Sequence, residues 1–252
     1  MMGDEMMMES RVETGIPGMD SLIEGGLIRN SSVLLRGKAG TGKTIFALQY
    51  LLHGAQNGEP GILLSIEETK KDLYREAAKF GWDLESAEEA GDIAIIERQN
   101  SYSITIHELE KTARLMGAKR AVIDSVPALF SSYPNELQPS EMRSAFHLLC
   151  KILTENCGCT VILITEVDWS KEFPYEEYVP KGVIELAPKM MEGISRKFLL
   201  ITKMREMRHS KSLHLYEITR NGFTIFNVKR TTEGKSRWVT SSSKLVWLVW
   251  TR

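Results

Sequence analysis

The chain has 252 residues, and its 32 Lys+Arg and 33 Asp+Glu give a formal net charge of −1. This length suits one large α/β domain, or one domain with a tail. The charge balance argues against bulk attraction to nucleic acid or to an anionic membrane. The three cysteines lack C-x-x-C spacing and predict thiols in a reducing compartment. No signal peptide and no apolar stretch of ~20 residues is evident, so we expect a cytoplasmic protein without a membrane span.

Strand-like and helix-like segments alternate through the first two thirds of the chain. After a short helix at 19–24, the predicted strands are 32–36, 61–66, 93–96, 120–124 and 160–165. The predicted helices are 45–56, 69–80, 104–116 and 140–155. Such alternation is typical of a mostly parallel central sheet with helices on both faces.

The last third of the chain has a different pattern. Segments 183–186, 198–202, 213–218 and 223–228 are strand-like with no helix between them, and Asn221-Gly222 is a strong hairpin signal. These segments predict a C-terminal antiparallel extension. Residues 231–243 are polar and predict a loose linker, and the apolar run 245–250 either pairs with a partner strand or packs as a tail. The predicted organisation is an N-terminal extension at 1–10, a domain at 11–230 and a tail of unassigned role at 231–252.

One octapeptide matches the phosphate-binding pattern G-x-x-x-x-G-K-[ST]. It consists of Gly37, Lys38, Ala39, Gly40, Thr41, Gly42, Lys43 and Thr44. Chance would give such a match in about 1% of chains of this length, and the strand before it and the helix after it supply the context that a P-loop needs. We expect the loop, with Ile45 directly after it, to bind a nucleoside triphosphate such as ATP. Lys43 would reach the phosphates and the Thr44 hydroxyl would ligate Mg²⁺.

Carboxylates follow two other predicted strands. Asp124 ends the strand 120–124, at the sheet edge where open α/β sheets bind ligands, and is the candidate second Mg²⁺ residue. Its alternative role is a helix cap. Glu67 and Glu68 follow the strand 61–66 and could activate water as a general base. They could equally be the acidic first turn of the next helix.

Two cations end a later strand. Alternation along the strand would put Lys203 and Arg205 on one face, from which they could reach a γ-phosphate. The alternative is a solvated edge that blocks aggregation, and these residues alone favour that alternative.

The order of these motifs resembles the KaiC-like branch of the RecA-type ATPases, and most closely its single-domain archaeal members. The resemblance covers roughly residues 11–229. It depends on the Gly-rich start, the P-loop, the Glu-Glu pair, the strand-end aspartate and two short motifs at 80–83 and 203–205. It implies a RecA-like P-loop NTPase core and a homo-oligomeric ring, usually a hexamer, with ATP between neighbouring subunits.

The resemblance also implies roles for individual residues. Glu67 and Glu68 match the catalytic glutamates, and Asp124 matches the Walker-B aspartate. Lys203 and Arg205 match the pair that reaches into the neighbour's ATP, as arginine fingers do. Two further positions match residues near the nucleotide, namely His209 and Ile218.

The chain departs from the family pattern at three places. Relatives usually have Gly-Thr after Lys-x-Arg, where this chain has Glu206-Met207. Arg220 stands where relatives usually have Asp, which leaves contacts to the base in question. Glu176-Glu177 stand at the stretch that some relatives phosphorylate, so autokinase activity is not expected.

Three functions fit the sequence. The first is a slow, Mg²⁺-dependent ATPase that works as a ring. The second is a nucleotide-gated interaction module with little turnover and an unknown protein partner. The third is a recombinase-like binder of single-stranded DNA, whose candidate loop is 167–181. Four acidic and two basic residues in that loop argue against nucleic acid.

Overall fold

The computed structural model describes residues 11–133, 139–166, 179–191, 193–230, 236–239 and 245–246. The described strands are β1 (Arg11–Val12), β2 (Leu27–Ile28), β3 (Ser32–Gly37), β4 (Gly61–Ser65), β5 (Ile93–Glu97), β6 (Arg120–Asp124), β7 (Thr160–Glu166), β8 (Gly182–Met191), β9 (Ile194–Met204), β10 (His214–Thr219), β11 (Gly222–Arg230), β12 (Ser236–Val239) and β13 (Leu245–Val246). The described α-helices are α1 (Lys43–Gln56), α2 (Lys70–Ala78), α3 (Leu84–Glu89), α4 (Tyr102–Leu115), α5 (Val126–Ser131) and α6 (Pro139–Lys151). A 3₁₀ turn spans Asp20–Leu22, and a π-helical turn, Ile152–Asn156, follows α6.

An 11-stranded sheet runs through the described structure in the order β13-β12-β11-β10-β9-β8-β3-β7-β6-β4-β5. The strands from β8 to β5 are parallel to one another. The strands from β9 to β13 continue the sheet in antiparallel order. The predicted fold is thereby confirmed: a mostly parallel core with helices on both faces and a C-terminal antiparallel extension.

Both faces of the parallel strands are buried. Along β3, Val33 and Leu35 pack into the core beneath α1, α2 and α3, whereas Leu34 packs into the opposite core with α4, α5 and α6. A strand that is covered on both sides has no polar face, which is why these strands read as continuous apolar runs in the sequence. The two cores hold the sheet in place, so the loops at its carboxyl edge have fixed starting points.

Several helices begin at residues suited to capping. The Thr69 side chain and the Asp72 backbone and side chain form a capping box at the start of α2. Asp83 accepts a hydrogen bond from the Ser86 backbone N–H at the start of α3, and Ser125 accepts one from the Ala128 N–H at the start of α5. These caps fix where each helix leaves the sheet edge.

The structure corrects some details of the sequence reading. Helices α3 and α5 and the small β1–β2 pair were not predicted. The predicted helix 140–155 changes to a π-helical turn at Ile152. The linker prediction for 231–243 is wrong at Ser236–Val239, which pairs with β11, and Leu245–Val246 pairs with β12 of the same chain. Among the described residues, no helix has the length and apolar character required to cross a bilayer.

Candidate functional site

A cavity of about 680 Å³ opens at the carboxyl edge of the parallel strands, between the P-loop and the ends of β4, β6 and β7. This is the edge at which open α/β sheets bind ligands. The residues that line the cavity are Ala39, Gly40, Gly42, Lys43, Thr44, Ile45, Ser65, Glu67, Glu68, Glu76, Asp124, Ser125, Glu166, Lys197 and Ile218. The predicted P-loop, metal and glutamate residues therefore meet in one place.

Glycine is required at the last turn of the P-loop. Gly42 has a φ of 95°, and a Cβ at this position would lie 2.2 Å from Cδ1 of Ile218. Gly42 is also the N-cap of α1, which has no side-chain cap hydrogen bond. The first N–H groups of α1 are therefore left for an anion at the positive end of the helix. Ile218, predicted to lie near the nucleotide, closes this side of the cavity.

The P-loop lysine is held against its own loop. Nζ of Lys43 donates to the carbonyl oxygens of Gly37 at 2.9 Å and Lys38 at 3.1 Å. The same nitrogen lies 3.6 Å from a carboxylate oxygen of Glu166. Thr41 is buried behind the loop, where its hydroxyl donates to the Lys38 carbonyl. These bonds fix the ammonium group at the floor of the cavity.

Thr44 and Asp124 are in direct contact. The Thr44 hydroxyl donates to Oδ2 of Asp124 at 2.8 Å. Burial raises the pKa of Asp124, and the Thr44 hydrogen bond and the Lys43 charge partly oppose that rise. A hydroxyl and one carboxylate are a donor set that suits Mg²⁺, which is commonly bound through one or two carboxylates, waters and substrate phosphates. The residues present therefore fit Mg²⁺ bound together with a triphosphate.

Glu67 and Glu68 follow the end of β4 and are exposed. The Ser65 hydroxyl donates to the Glu68 carbonyl at 2.7 Å, which fixes the turn that carries both side chains. Desolvation raises the pKa of Glu68, and the nearby negative charge of Asp124 raises it further. A carboxylate with a raised pKa is a better proton acceptor, so the site offers a general base.

The charge of the cavity is unusual for a site that binds an anion. Two lysines, Lys43 and Lys197, face five carboxylates, which belong to Glu67, Glu68, Glu76, Asp124 and Glu166. A triphosphate in this cavity needs more positive charge than these residues supply. Some of that charge would come from Mg²⁺.

Lys203 and Arg205 lie near the amino ends of the parallel strands, whereas the P-loop of the same chain lies at the carboxyl ends. Met204 pairs with Gly182, and Gly182 pairs with Val33 at the start of β3. The P-loop begins at Gly37, four residues beyond Val33, which is about 13 Å at 3.3 Å per residue. Neither cation lines the cavity.

The alternation argument does not extend to Arg205, because β9 ends at Met204 and Arg205 lies in the turn that follows. Nζ of Lys203 donates to the Pro180 carbonyl at 2.8 Å. His209 lies near the same edge. Its neighbours Arg208 and Ser210 donate backbone N–H bonds to the Glu24 side chain and the Leu22 carbonyl. The structure thus separates Lys203, Arg205 and His209 from the other predicted site residues.

Five cavity residues were not predicted, namely Ser65, Glu76, Ser125, Glu166 and Lys197. Lys197 on β9 reaches across to the P-loop, where its Nζ donates to the Gly40 carbonyl at 3.0 Å. The sequence gives no signal for this contact, since it depends on the long β8–β9 hairpin. Glu166 ends β7, so the argument that selected Asp124 at the end of β6 would also have selected Glu166.

The candidate DNA-binding loop and the Glu176-Glu177 stretch lie outside the described residues, except for 179–181. Arg220 is exposed in the turn between β10 and β11.

Comparisons with known proteins agree with this geometry. A family model described as KaiC ATPase matches residues 12–230. A UPF0273 protein of Aeropyrum pernix is 34% identical over 240 residues, which cover 87% of this chain and 94% of that protein. The circadian clock protein KaiC2 of Synechocystis is 32% identical over 231 residues, 85% of this chain and 40% of that protein. A solved structure of a KaiC-like protein from Pyrococcus horikoshii has a TM-score of 0.78 at 38% identity and covers 86% of this chain and 99% of that chain. The resemblance inferred from the motifs is confirmed, and the chain belongs to the KaiC family of ATP-binding P-loop ATPases.

Proposed function

We propose that this protein is a slow, Mg²⁺-dependent ATPase that works as a homo-oligomeric ring, with each ATP bound between two subunits. The observation that carries the proposal is that the acidic cavity lies at the carboxyl ends of the parallel strands, whereas two cations lie near their amino ends. The cavity of one subunit holds five carboxylates and two lysines. The cations that match the family's trans pair, Lys203 and Arg205, lie at the opposite edge.

This division suits a head-to-tail assembly. In a heterologous contact, one edge of a subunit meets the opposite edge of the next, and a closing rotation gives a ring. Lys203 and Arg205 of one subunit would then face the acidic cavity of its neighbour. Within one chain they are too far from the P-loop to contact the same triphosphate, so a role in phosphoryl transfer requires a second copy.

Five side chains of the cavity have roles in this proposal. The N–H groups at the start of α1 and Nζ of Lys43 would hold the phosphates. Thr44 and Asp124 would hold Mg²⁺, which neutralises charge on the phosphate oxygens when bound. Glu67 or Glu68 would orient the attacking water and accept its proton. Arg205 from the neighbour would stabilise charge on the transferring phosphoryl group.

Two measurements on the full chain test the proposal. Native mass spectrometry with and without Mg·ATP should show a multiple of the 28.5 kDa subunit mass, which we expect to be a hexamer. Phosphate release should require Mg²⁺ and fall to background in the variant that carries Glu67→Gln and Glu68→Gln. A monomer under both conditions would contradict the ring, and unchanged release in the double variant would contradict the catalytic assignment.

A further inference from the structure

The end of β9 and the turn that follows it are attached at three points to the two residues that precede β8. Nζ of Lys203 donates to the Pro180 carbonyl at 2.8 Å. The Arg205 backbone N–H donates to the Lys181 carbonyl, also at 2.8 Å. Nζ of Lys181 in turn donates to Oε2 of Glu206 at 2.7 Å. We call these three contacts the turn clamp. They involve both cations of the proposed trans pair.

Glu206 occupies a demanding backbone position in this clamp. Its φ is 63°, in the left-handed region that glycine adopts most readily. Glu is less suited than Gly to that conformation. Its carboxylate is paired with Lys181, which lies directly before β8, and this ion pair ties the turn to the start of β8. The Glu206 side chain therefore makes a contact that glycine could not make.

The strand residues next to the turn clamp are also closely packed. Gly182 pairs with Met204, and the Met204 side chain packs over the glycine, where a Cβ on residue 182 would lie 2.4 Å from Sδ. Gly182 follows Lys181, and Met204 precedes Arg205. Strand pairing thus fixes Gly182 and Met204, and this limits the movement of the adjacent residues Lys181 and Arg205.

We infer that Lys181 and Glu206 are positioning residues, which set the turn so that Lys203 and Arg205 enter the neighbour's cavity in a defined geometry. The inference rests on the proposed function. In a free subunit the ion pair is about half exposed, with 40% of the Lys181 side chain and 62% of the Glu206 side chain accessible, so it adds little to stability. Its effect should appear in turnover, because a small misplacement of a group that contacts the transition state is costly.

The pair also explains how an acid can stand beside a finger arginine. Because Lys181 neutralises Glu206 at 2.7 Å, the carboxylate does not cancel the positive charge that the turn presents.

Two readouts on the full chain test the inference. The variants are Lys181→Met, Glu206→Gln and the exchange variant Lys181→Glu with Glu206→Lys. The control is Glu155→Gln, which removes another exposed ion pair, with Lys151 at 3.7 Å. Hydrogen exchange of a peptide that spans 203–207 should become roughly two- to fivefold faster in the single variants, the effect of an exposed pair. The kcat of each single variant should fall about tenfold at unchanged ring mass and little changed KM.

The exchange variant should recover most of the lost turnover, and the control should match the wild type in both readouts. Faster hydrogen exchange with an unchanged kcat in intact rings would overturn the positioning role. Unchanged hydrogen exchange would overturn the clamp itself. If the wild type neither assembles nor hydrolyses ATP, the proposed function fails, and the hydrogen-exchange result still decides whether the clamp exists.

Discussion

The paired glutamates after β4 give the sharpest single test of the chemistry. We expect Glu67→Gln together with Glu68→Gln to lower kcat by about 10²- to 10⁴-fold, the usual contribution of a general base, which corresponds to roughly 3–5 kcal/mol. Glutamine keeps the shape and hydrogen-bonding capacity of the side chain but cannot accept the proton. Pre-steady-state phosphate release in excess Mg·ATP measures the effect directly.

Binding should change in the opposite direction. At about 8 Å, one negative charge near a triphosphate costs about 0.5 kcal/mol at the dielectric constant of water and about 2 kcal/mol at an effective value of 20. Both glutamates are exposed, so the lower figure applies to Glu67, and the partial desolvation of Glu68 places its cost between the two figures. Each neutralisation should then tighten Mg·ATP binding at least about twofold. A fluorescent ATP analogue measures the Kd under conditions without turnover.

The pH profile separates the two glutamates. Desolvation and Asp124 raise the pKa of Glu68 above 4.5. A base works only when it is ionised, so kcat should fall as the pH drops through that raised pKa. With Glu68 as the base, Glu68→Gln should abolish this fall of kcat at low pH, whereas Glu67→Gln should leave the fall in place.

Glu76→Gln is the matched control, since Glu76 lines the same cavity from α2. It should tighten binding in the same way and leave kcat near the wild-type value. Unchanged turnover in the double variant, or an equal loss in Glu76→Gln, would refute the reasoning.

Three further predictions concern the P-loop and the stability of the fold. Gly42→Ala should weaken ATP binding and lower stability by about 1–2 kcal/mol or more, because φ is 95° and the new Cβ would meet Ile218; binding assays and urea unfolding check this. Glu59→Gln should cost about 3–5 kcal/mol in urea unfolding, because it leaves the guanidinium of Arg120, which is 2% exposed, without its charged partner. His214 has a pKa lowered by burial, so stability should be lost as the pH falls below about 6.5, and His214→Gln should reduce that loss in thermal melts.

Each of these predictions has a control or a contrary outcome. For Glu59, the control is Glu110→Gln, which breaks an exposed helical pair with Arg114 and should cost less than about 0.5 kcal/mol. Equal costs would mean that the buried network does not stabilise the fold. A Gly42→Ala variant with full activity would contradict the packing argument. If His214→Gln loses as much stability at low pH as the wild type does, that loss belongs to other groups.

The sequence predicted the elements whose signals are local and strong. The parallel strands β3, β4, β6 and β7 are continuous apolar runs because both of their faces are buried. Asn221-Gly222 does form the β10–β11 hairpin turn. Helix α3 was missed because it has six residues, of which only Leu84 is buried, so its periodicity is too short to detect. Its capping residue, Asp83, was the available signal.

The parts of the site that depend on tertiary structure were harder to predict. Lys197 reaches Gly40 only because β8 and β9 extend past the P-loop as a long hairpin, and no spacing in the sequence shows that length. Arg205 was assigned to a strand face by alternation, but β9 ends one residue earlier, and the clamp to Lys181 sets its place. The separation of Arg205 from its own P-loop follows from strand register, which only the sheet topology provides.

The central claim, that each ATP site is shared by two subunits, is tested most directly by mixing two inactive variants. One carries Arg205→Ala, and the other carries Glu67→Gln with Glu68→Gln and keeps its Arg205. In rings formed at equal ratio, about a quarter of the interfaces would join an intact cavity to an intact Arg205. We predict ATPase activity near a quarter of the wild-type rate once native mass spectrometry shows mixed rings. Mixed rings with no more activity than the two parents would contradict the shared site.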